Sequence, residues 1–229
     1  MHAATTGDRL VDIAARAPAS LEPPMSAAVT PRWEWRVFAN DVREKLAAAN
    51  VTLDARDALR NETYIVSTRT DAGVKVRNGH LELKMLRERD GTGLELWEPV
   101  LVRAFPLPAD LVGPLWQALG VPRTRPAEEL RSLDELLDVV ARMPSLRAVS
   151  VAKERARFEL PECRGEHAVV WIEGKRVETV AVEDADPHRV LKAAGRLRIA
   201  HLPNTNYPRA LKTMLGIGDA DHSAKQESA

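Results

Sequence analysis

The chain has 229 residues, enough for one large domain or two small ones with a real core, and its 33 Lys and Arg balance its 33 Asp and Glu. Zero net charge leaves no global electrostatic footprint for nucleic acid or anionic lipid, so any anion site must come from local sorting of charge. The single cysteine, Cys163, excludes an intrachain disulfide framework and a cysteine-rich zinc site, and no stretch approaches the ~20 apolar residues of a membrane span.

Residues 1–30 are rich in Ala, Pro, Ser and Thr, show no sustained period, and read as a disordered leader. Asp8 and Asp12 interrupt their only apolar run, so a signal-peptide core is lacking and the expected location is the cytoplasm. Met25, followed by Ser-Ala-Ala-Val-Thr-Pro, is a second candidate for the start of translation. The ordered chain is expected to occupy residues 31–218, with a polar, frayed tail over 219–229.

The first strand is predicted at Arg32-Trp33-Glu34-Trp35-Arg36-Val37-Phe38, where charged and apolar residues alternate strictly. Period-two alternation puts the two sets on opposite faces of a half-buried strand. Asp41 and Glu44 then have capping-box spacing before a short amphipathic helix carrying Val42, Leu46 and Ala49. From Glu62 to Val102 successive antiparallel strands are expected at 63–67, 74–77, 80–85 and 94–100, with hairpin signals at Asn78-Gly79 and Asp90-Gly91. Two helices follow at about 108–119 and 126–142, the second ended by Pro144. A second run of strands begins near 148 and continues at 168–172 and 177–183. Asp186-Pro187 reads as a cap residue and first-turn proline of a further helix, and a last helix covers about 207–215 with Gly216 at its C-terminal end.

The charged parity of these strands holds Arg32, Glu34, Arg36, Lys75, Arg77, Glu82, Lys84, Lys153, Arg155, Arg157 and Glu183, eight bases against three acids in a chain of zero net charge. A solvated outer sheet face is one reading of this set. A curled sheet is the other: closure would bring the bases to one volume, where their repulsion would be severe without an anion. Few carboxylates among many bases suit a polyphosphate held by Arg and Lys together with a divalent cation.

Other chemistries are poorly supported. A Gly-rich phosphate loop before a helix and a G-x-S-x-G elbow are both missing, and the six histidines lack metal-ligand spacing. His80 shares the charged parity but reads as a structural hydrogen-bonder. The five tryptophans read as packing residues, since Trp33 and Trp35 lie on the apolar parity.

In order along the chain these features resemble the CYTH superfamily, the triphosphate tunnel metalloenzymes, which includes class IV adenylyl cyclases, thiamine triphosphatases and inorganic triphosphatases. The family's opening E-x-E-x-K strand resembles Arg32-x-Glu34-x-Arg36. Its basic hairpin resembles Lys75-x-Arg77 with Lys84, and its later K-x-R strand resembles Lys153-Glu154-Arg155. Its acidic strand and D-P helix resemble Ala181-Val182-Glu183 and Asp186-Pro187, and its closing helix resembles Asn204-Thr205-Asn206-Tyr207.

The resemblance covers roughly residues 31–217 and implies an α+β fold: an antiparallel eight-stranded β-tunnel with helices packed outside. It implies binding and metal-dependent hydrolysis of an inorganic or organic triphosphate. Arg32, Arg36, Lys75, Arg77, Lys84, Lys153, Arg155 and Arg157 would hold phosphates, while Glu34 and Glu183 would be catalytic and hold Mg²⁺ or Mn²⁺. Arg32 and Ala181 stand where the family has carboxylates, which leaves a degenerate metal site, with Glu82, Glu95 and Glu98 as further candidates. The same departures suit a non-catalytic polyphosphate- or nucleotide-binding module. An inert scaffold with a solvated charged face is the remaining reading. The expected partner is a small triphosphate or polyphosphate rather than nucleic acid or membrane. Adenylyl cyclase activity is less expected than hydrolysis, because no nucleoside pocket is legible.

Overall fold

The computed structural model describes residues 30–122 and 127–218, so the expected leader, Met25 and the expected tail lie outside the described residues. The described residues form eight strands: β1 (Arg32–Phe38), β2 (Arg60–Ser67), β3 (Gly73–Arg77), β4 (His80–Arg89), β5 (Glu95–Ala104), β6 (Leu146–Glu159), β7 (Arg164–Ile172) and β8 (Lys175–Asp184). Five helices accompany them: α1 (Val42–Ala48), α2 (Ala109–Ala118), α3 (Leu133–Ala141), α4 (Pro187–Arg196) and α5 (Tyr207–Leu215). Among the described residues no helix is long and apolar enough to cross a membrane.

All strands pair antiparallel, and the sheet closes on itself in the order β1-β5-β4-β3-β2-β6-β7-β8. The eight-stranded antiparallel barrel inferred from the sequence is therefore present. Two tight turns help fix its register. Asn78 and Gly79 have φ of 50° and 74°, and Glu173 and Gly174 have 47° and 80°. Positive φ at both central residues gives a turn whose twist matches that of the flanking strands.

The apolar parity points outward and is covered by helices in two places. Ile65, Val74, Val76, Leu81 and Leu83 pack with Val112 and Leu115 of α2 and Leu136 and Val140 of α3. Trp35, Val37, Val180 and Val182 pack with Val42 and Leu46 of α1 and Val190, Ala193 and Ala194 of α4.

A third core lies inside the barrel. Val66, Val149, Val151, Ala168, Val170 and Ile172 share the inward parity of their strands and surround Tyr207 and Leu211 of α5. This end of the barrel is thus filled. Residues 204–207 hold α5 in place. The Asn204 side-chain oxygen accepts from the Arg36 N–H at 2.8 Å, and its amide donates to the carbonyls of Glu34 and Gly93 at 2.9 Å. Asn206 caps α5 by accepting from the Arg209 N–H at 2.9 Å. Its amide, with Arg209, also bonds the buried carboxylate of Glu95.

Two local expectations fail. Asp41 makes no side-chain cap bond to α1 and instead pairs with Lys45 at 3.0 Å, because its backbone lies near φ −99°, ψ 15° rather than in the extended region a cap needs. The helix expected from 126 begins at Leu133, where Ser132 caps it by accepting from the Glu135 N–H at 3.2 Å. Ser132-x-x-Glu135 is itself a capping-box sequence and marks the true start.

Gly165 and Gly195 offer a test of this packing. A Cβ at Gly165 would sit 2.2 Å from the ring of buried Phe158, whereas one at Gly195, near the end of α4, meets nothing within 4 Å. Gly165→Ala is expected to destabilise by about 1–3 kcal/mol through overpacking, and Gly195→Ala to stabilise by up to about 1 kcal/mol through helix propensity. Urea denaturation of the two variants checks the opposite signs.

Candidate functional site

Above the α5 floor the barrel encloses a cavity of about 430 Å³. Alternation supplies its walls. Glu34 and Arg36 come from β1, Lys75 and Arg77 from β3, Glu82 and Lys84 from β4, Arg155 and Arg157 from β6, and Glu183 from β8. Lys153, Glu159, Arg164, Glu166, Tyr64, Trp97, Asn206 and Tyr207 complete most of the lining. Of the residues singled out as phosphate or metal ligands, all line this cavity except Arg32 and the further candidates Glu95 and Glu98. Arg32 is half-buried and opposes Trp97 near the end of β1, outside the lining.

The sequence counted too few interior acids. Eight bases line the cavity, and so do Glu34, Glu82, Glu159, Glu166 and Glu183. Glu62 lies beside it, under Lys75 and Arg77. All of these carboxylates except Glu159 pair with bases, some with more than one. Glu166 accepts from Lys153 at 2.7 Å and from Arg155 at 3.4 Å, and stands 3.5 Å from Arg36. Arg36 donates to Glu34 at 2.8 Å, and Arg155 to Asp57 at 2.7 Å. Lys75 meets Glu62 at 3.2 Å, Arg77 meets Glu82 at 2.6 Å, and Arg164 meets Glu183 at 2.7 Å. The severe repulsion expected of an empty tunnel is thus relieved inside the protein. Lys84 and Arg157 are the exceptions, with no carboxylate within 4.0 Å among the described residues.

The titration behaviour follows from this lattice. Burial alone would raise the carboxyl of Glu166, but Lys153, Arg36 and Arg155 outweigh it and hold that group far below the ordinary glutamate value. Glu34 is half-buried and desolvated, yet Arg36 and Lys84 keep its pKa lowered. Lys75 goes the other way: desolvation outweighs Glu62 and Glu82, and its pKa falls.

Glu34 and Glu183 stand directly opposite each other on β1 and β8. Ala181, two residues along, opposes Arg36 on one side and Glu166 on the other. Among the described residues no group of three or more His, Cys, Asp or Glu is arranged to hold a metal. Two opposed carboxylates are all that Glu34 and Glu183 could offer an ion, too few for an all-protein cage, and Arg36 and Arg164 already donate to them. Glu82 is engaged by Arg77, Glu98 pairs with Arg87 away from the lining, and Glu95 lies beneath it, bonding α5 and the Trp97 indole.

Aromatic residues make the floor. Tyr207 stacks on Tyr64 at 5.4 Å between centroids and meets Phe38 edge-on at 5.2 Å. Arg36 lies 4.8 Å and Lys153 5.1 Å from its ring centroid. Trp97 is buried, as expected of a packing residue, and also lines the cavity. It faces the cavity because its strand pairs with the charged parity of β1. His80 behaves as a local hydrogen-bonder, its Nδ1 lying 2.9 Å from the Asn78 carbonyl oxygen.

No family model matches the chain, and no curated protein does. Among solved structures, an adenylate cyclase candidate from Bacillus halodurans is similar at a TM-score of 0.47 and 10% identity, over 76% of this chain and 93% of that one. An adenylyl cyclase candidate from Hippeastrum with a dominant triphosphatase activity gives 0.45 and 12%, over 81% and 96%. The PH1012 protein of Pyrococcus horikoshii gives 0.42 and 15%, over 77% and 97%.

Glu166 offers a direct test of the interior lattice. Its folded-state pKa is depressed, so its contribution is present above the ordinary value of 4.5 and is lost as pH falls below it. Glu166→Gln should cost about 3–5 kcal/mol at neutral pH by leaving buried cations uncompensated. Acid denaturation below pH 4.5 should then be shallower in the variant than in the wild type, as read from urea midpoints across the pH range.

Proposed function

We propose that the cavity binds a triphosphate, inorganic or carried by an organic group, and hydrolyses it with one Mg²⁺ or Mn²⁺ ion. The observation that carries this reading is the convergence of eight cationic side chains on one cavity lined by five carboxylates, which leaves a cationic surplus. Arg and Lys donors of fixed geometry suit phosphate oxygens, and low local dielectric strengthens each contact. The order of motifs that resembles the CYTH superfamily supports the same ligand. Lys84 and Arg157, without carboxylate partners among the described residues, are the first donors a phosphate meets without displacing an internal pair.

Glu34 and Glu183, opposed across β1 and β8, would hold the ion, which supplies Lewis-acid polarisation of the scissile phosphoryl group. Arg36, Lys75, Arg77, Lys153 and Arg155 would hold the phosphate chain still for attack by water. Arg32 has no part in this, since it lies outside the lining. A second reading, binding without turnover, is favoured by one feature: Arg36 and Arg164 already engage Glu34 and Glu183.

A thermal-shift series with tripolyphosphate, ATP and thiamine triphosphate, each with and without Mg²⁺ or Mn²⁺, tests the proposal. At 100 times its dissociation constant a true ligand should stabilise by about 2.7 kcal/mol, a rise of roughly 5–11 °C for a domain of this size. Phosphate release that needs the metal separates the first reading from the second. Absence of any shift with every triphosphate contradicts both.

A further inference from the structure

The two carboxylates proposed to receive the ion are engaged by two arginines that are held in different ways. Arg36 donates to Glu34 from a buried position, its side chain only 9% exposed. It also donates to Thr179 at 3.4 Å, stands 3.5 Å from Glu166 and lies over the Tyr207 ring. It cannot leave without breaking that set. Arg164 stands among the exposed residues of the lining, with its side chain 51% exposed. Its contact with a carboxylate, among the described residues, is the bond it donates to Glu183 at 2.7 Å.

The register gives Arg164 a second place. As the first residue of β7 it opposes Glu183 on β8 and also Glu159, the last residue of β6. Directly opposed side chains in a sheet start about 5 Å apart, so one guanidinium reaches either carboxylate by rotating its own side chain. Glu159 lines the cavity, is exposed, and has no cation within 4.0 Å among the described residues. One base therefore stands between two acids, the first engaged and the second waiting. An exposed ion pair is weak, so little stability is lost when this one opens.

Resting on the reading that Glu34 and Glu183 receive a divalent ion, we propose that Arg164 is a movable counter-ion. It neutralises Glu183 as the structure shows, and crosses to Glu159 when a divalent cation takes its place. The exchange keeps both acids paired and needs no movement of the barrel backbone. Arg164 is thus a positioning residue that acts through Glu183, and it holds down the affinity of the site for a bare cation.

Mn²⁺ titrated into the full chain without phosphate, with free Mn²⁺ read by electron paramagnetic resonance, tests the first half. Arg164→Ala should bind Mn²⁺ about three- to fivefold more tightly than the wild type, the scale of one exposed ion pair. Arg157→Ala removes another exposed cation of the lining, one without a carboxylate partner among the described residues, and so reads the general field; its gain should stay below about twofold. Adding Glu183→Gln to Arg164→Ala should abolish the gain. The second half is read from the Arg164 Nε–H resonance, assigned by its loss in Arg164→Ala. Under saturating Mg²⁺ it should shift yet stay protected from solvent exchange in the wild type, and lose that protection in Glu159→Gln. Equal gains in Arg164→Ala and Arg157→Ala, a gain that survives Glu183→Gln, or an Arg164 resonance that Mg²⁺ moves alike in the wild type and Glu159→Gln, overturns the exchange. Absence of Mn²⁺ binding from both the wild type and Arg164→Ala overturns the ion-site reading beneath it, so the two failures are distinguishable.

Discussion

The carboxylate of Glu166 is the constraint on which the cavity depends. Lys153, Arg155 and Arg36 all approach it within 3.5 Å, from two strands that would otherwise bring cations together. Two like charges 4 Å apart repel by about 4 kcal/mol at an effective dielectric of 20, a substantial share of a typical domain's stability. A single anion placed among them turns most of that repulsion into attraction. The barrel can therefore close with its bases in place before any ligand arrives. Under the proposed triphosphate reading the same arrangement would set the terms of binding, because an incoming phosphate would compete with Glu166, Glu62 and Glu82 for donors that are already held in position. Lys84 and Arg157 escape that competition among the described residues.

The second constraint is the floor. Strand β1 pairs with β5 only over Arg32–Glu34, and beyond that point Asn204 and Thr205 take up its free backbone groups. The splice places Asn206 and Tyr207 at the bottom of the cavity, and buried Glu95 ties the start of α5 to β5 and Trp97. One polar segment thus completes the sheet, caps a helix and shapes the site. Sequence and chemistry meet here, since Asn204-Thr205-Asn206-Tyr207 was legible as a closing motif but its physical role was not.

How much could be read in advance follows from where the alternation is clean. All eight strands were legible, from alternation of charged and apolar residues in β1, β3 and β4 and from apolar, β-branched runs in others such as β2 and β7. Closure came from the family resemblance and not from alternation, since it depends on which strands pair, and β1 finding both β5 and β8 is a long-range choice. The acids were missed at the strand boundaries. Expected starts at 63 and 168 cut off Glu62 and Glu166, although the parity of Tyr64 and Ala168, carried back two residues at a time, reaches both. Gly165 and His167 hid the second case by breaking the apolar alternation. Arg32 was the opposite error: it has the right parity, but it sits one step past the end of the lining.

The central claim is that one internally balanced, blind-ended cavity is the anion site. A crystal structure grown with tripolyphosphate and Mg²⁺ tests it most directly. The account predicts a phosphate chain inside the barrel, its inner end near Arg36, Lys153 and Tyr207, and Lys84 and Arg157 turned toward it. Phosphate density confined to the outer surface, with the Glu166 lattice undisturbed and the cavity holding only water, would contradict it.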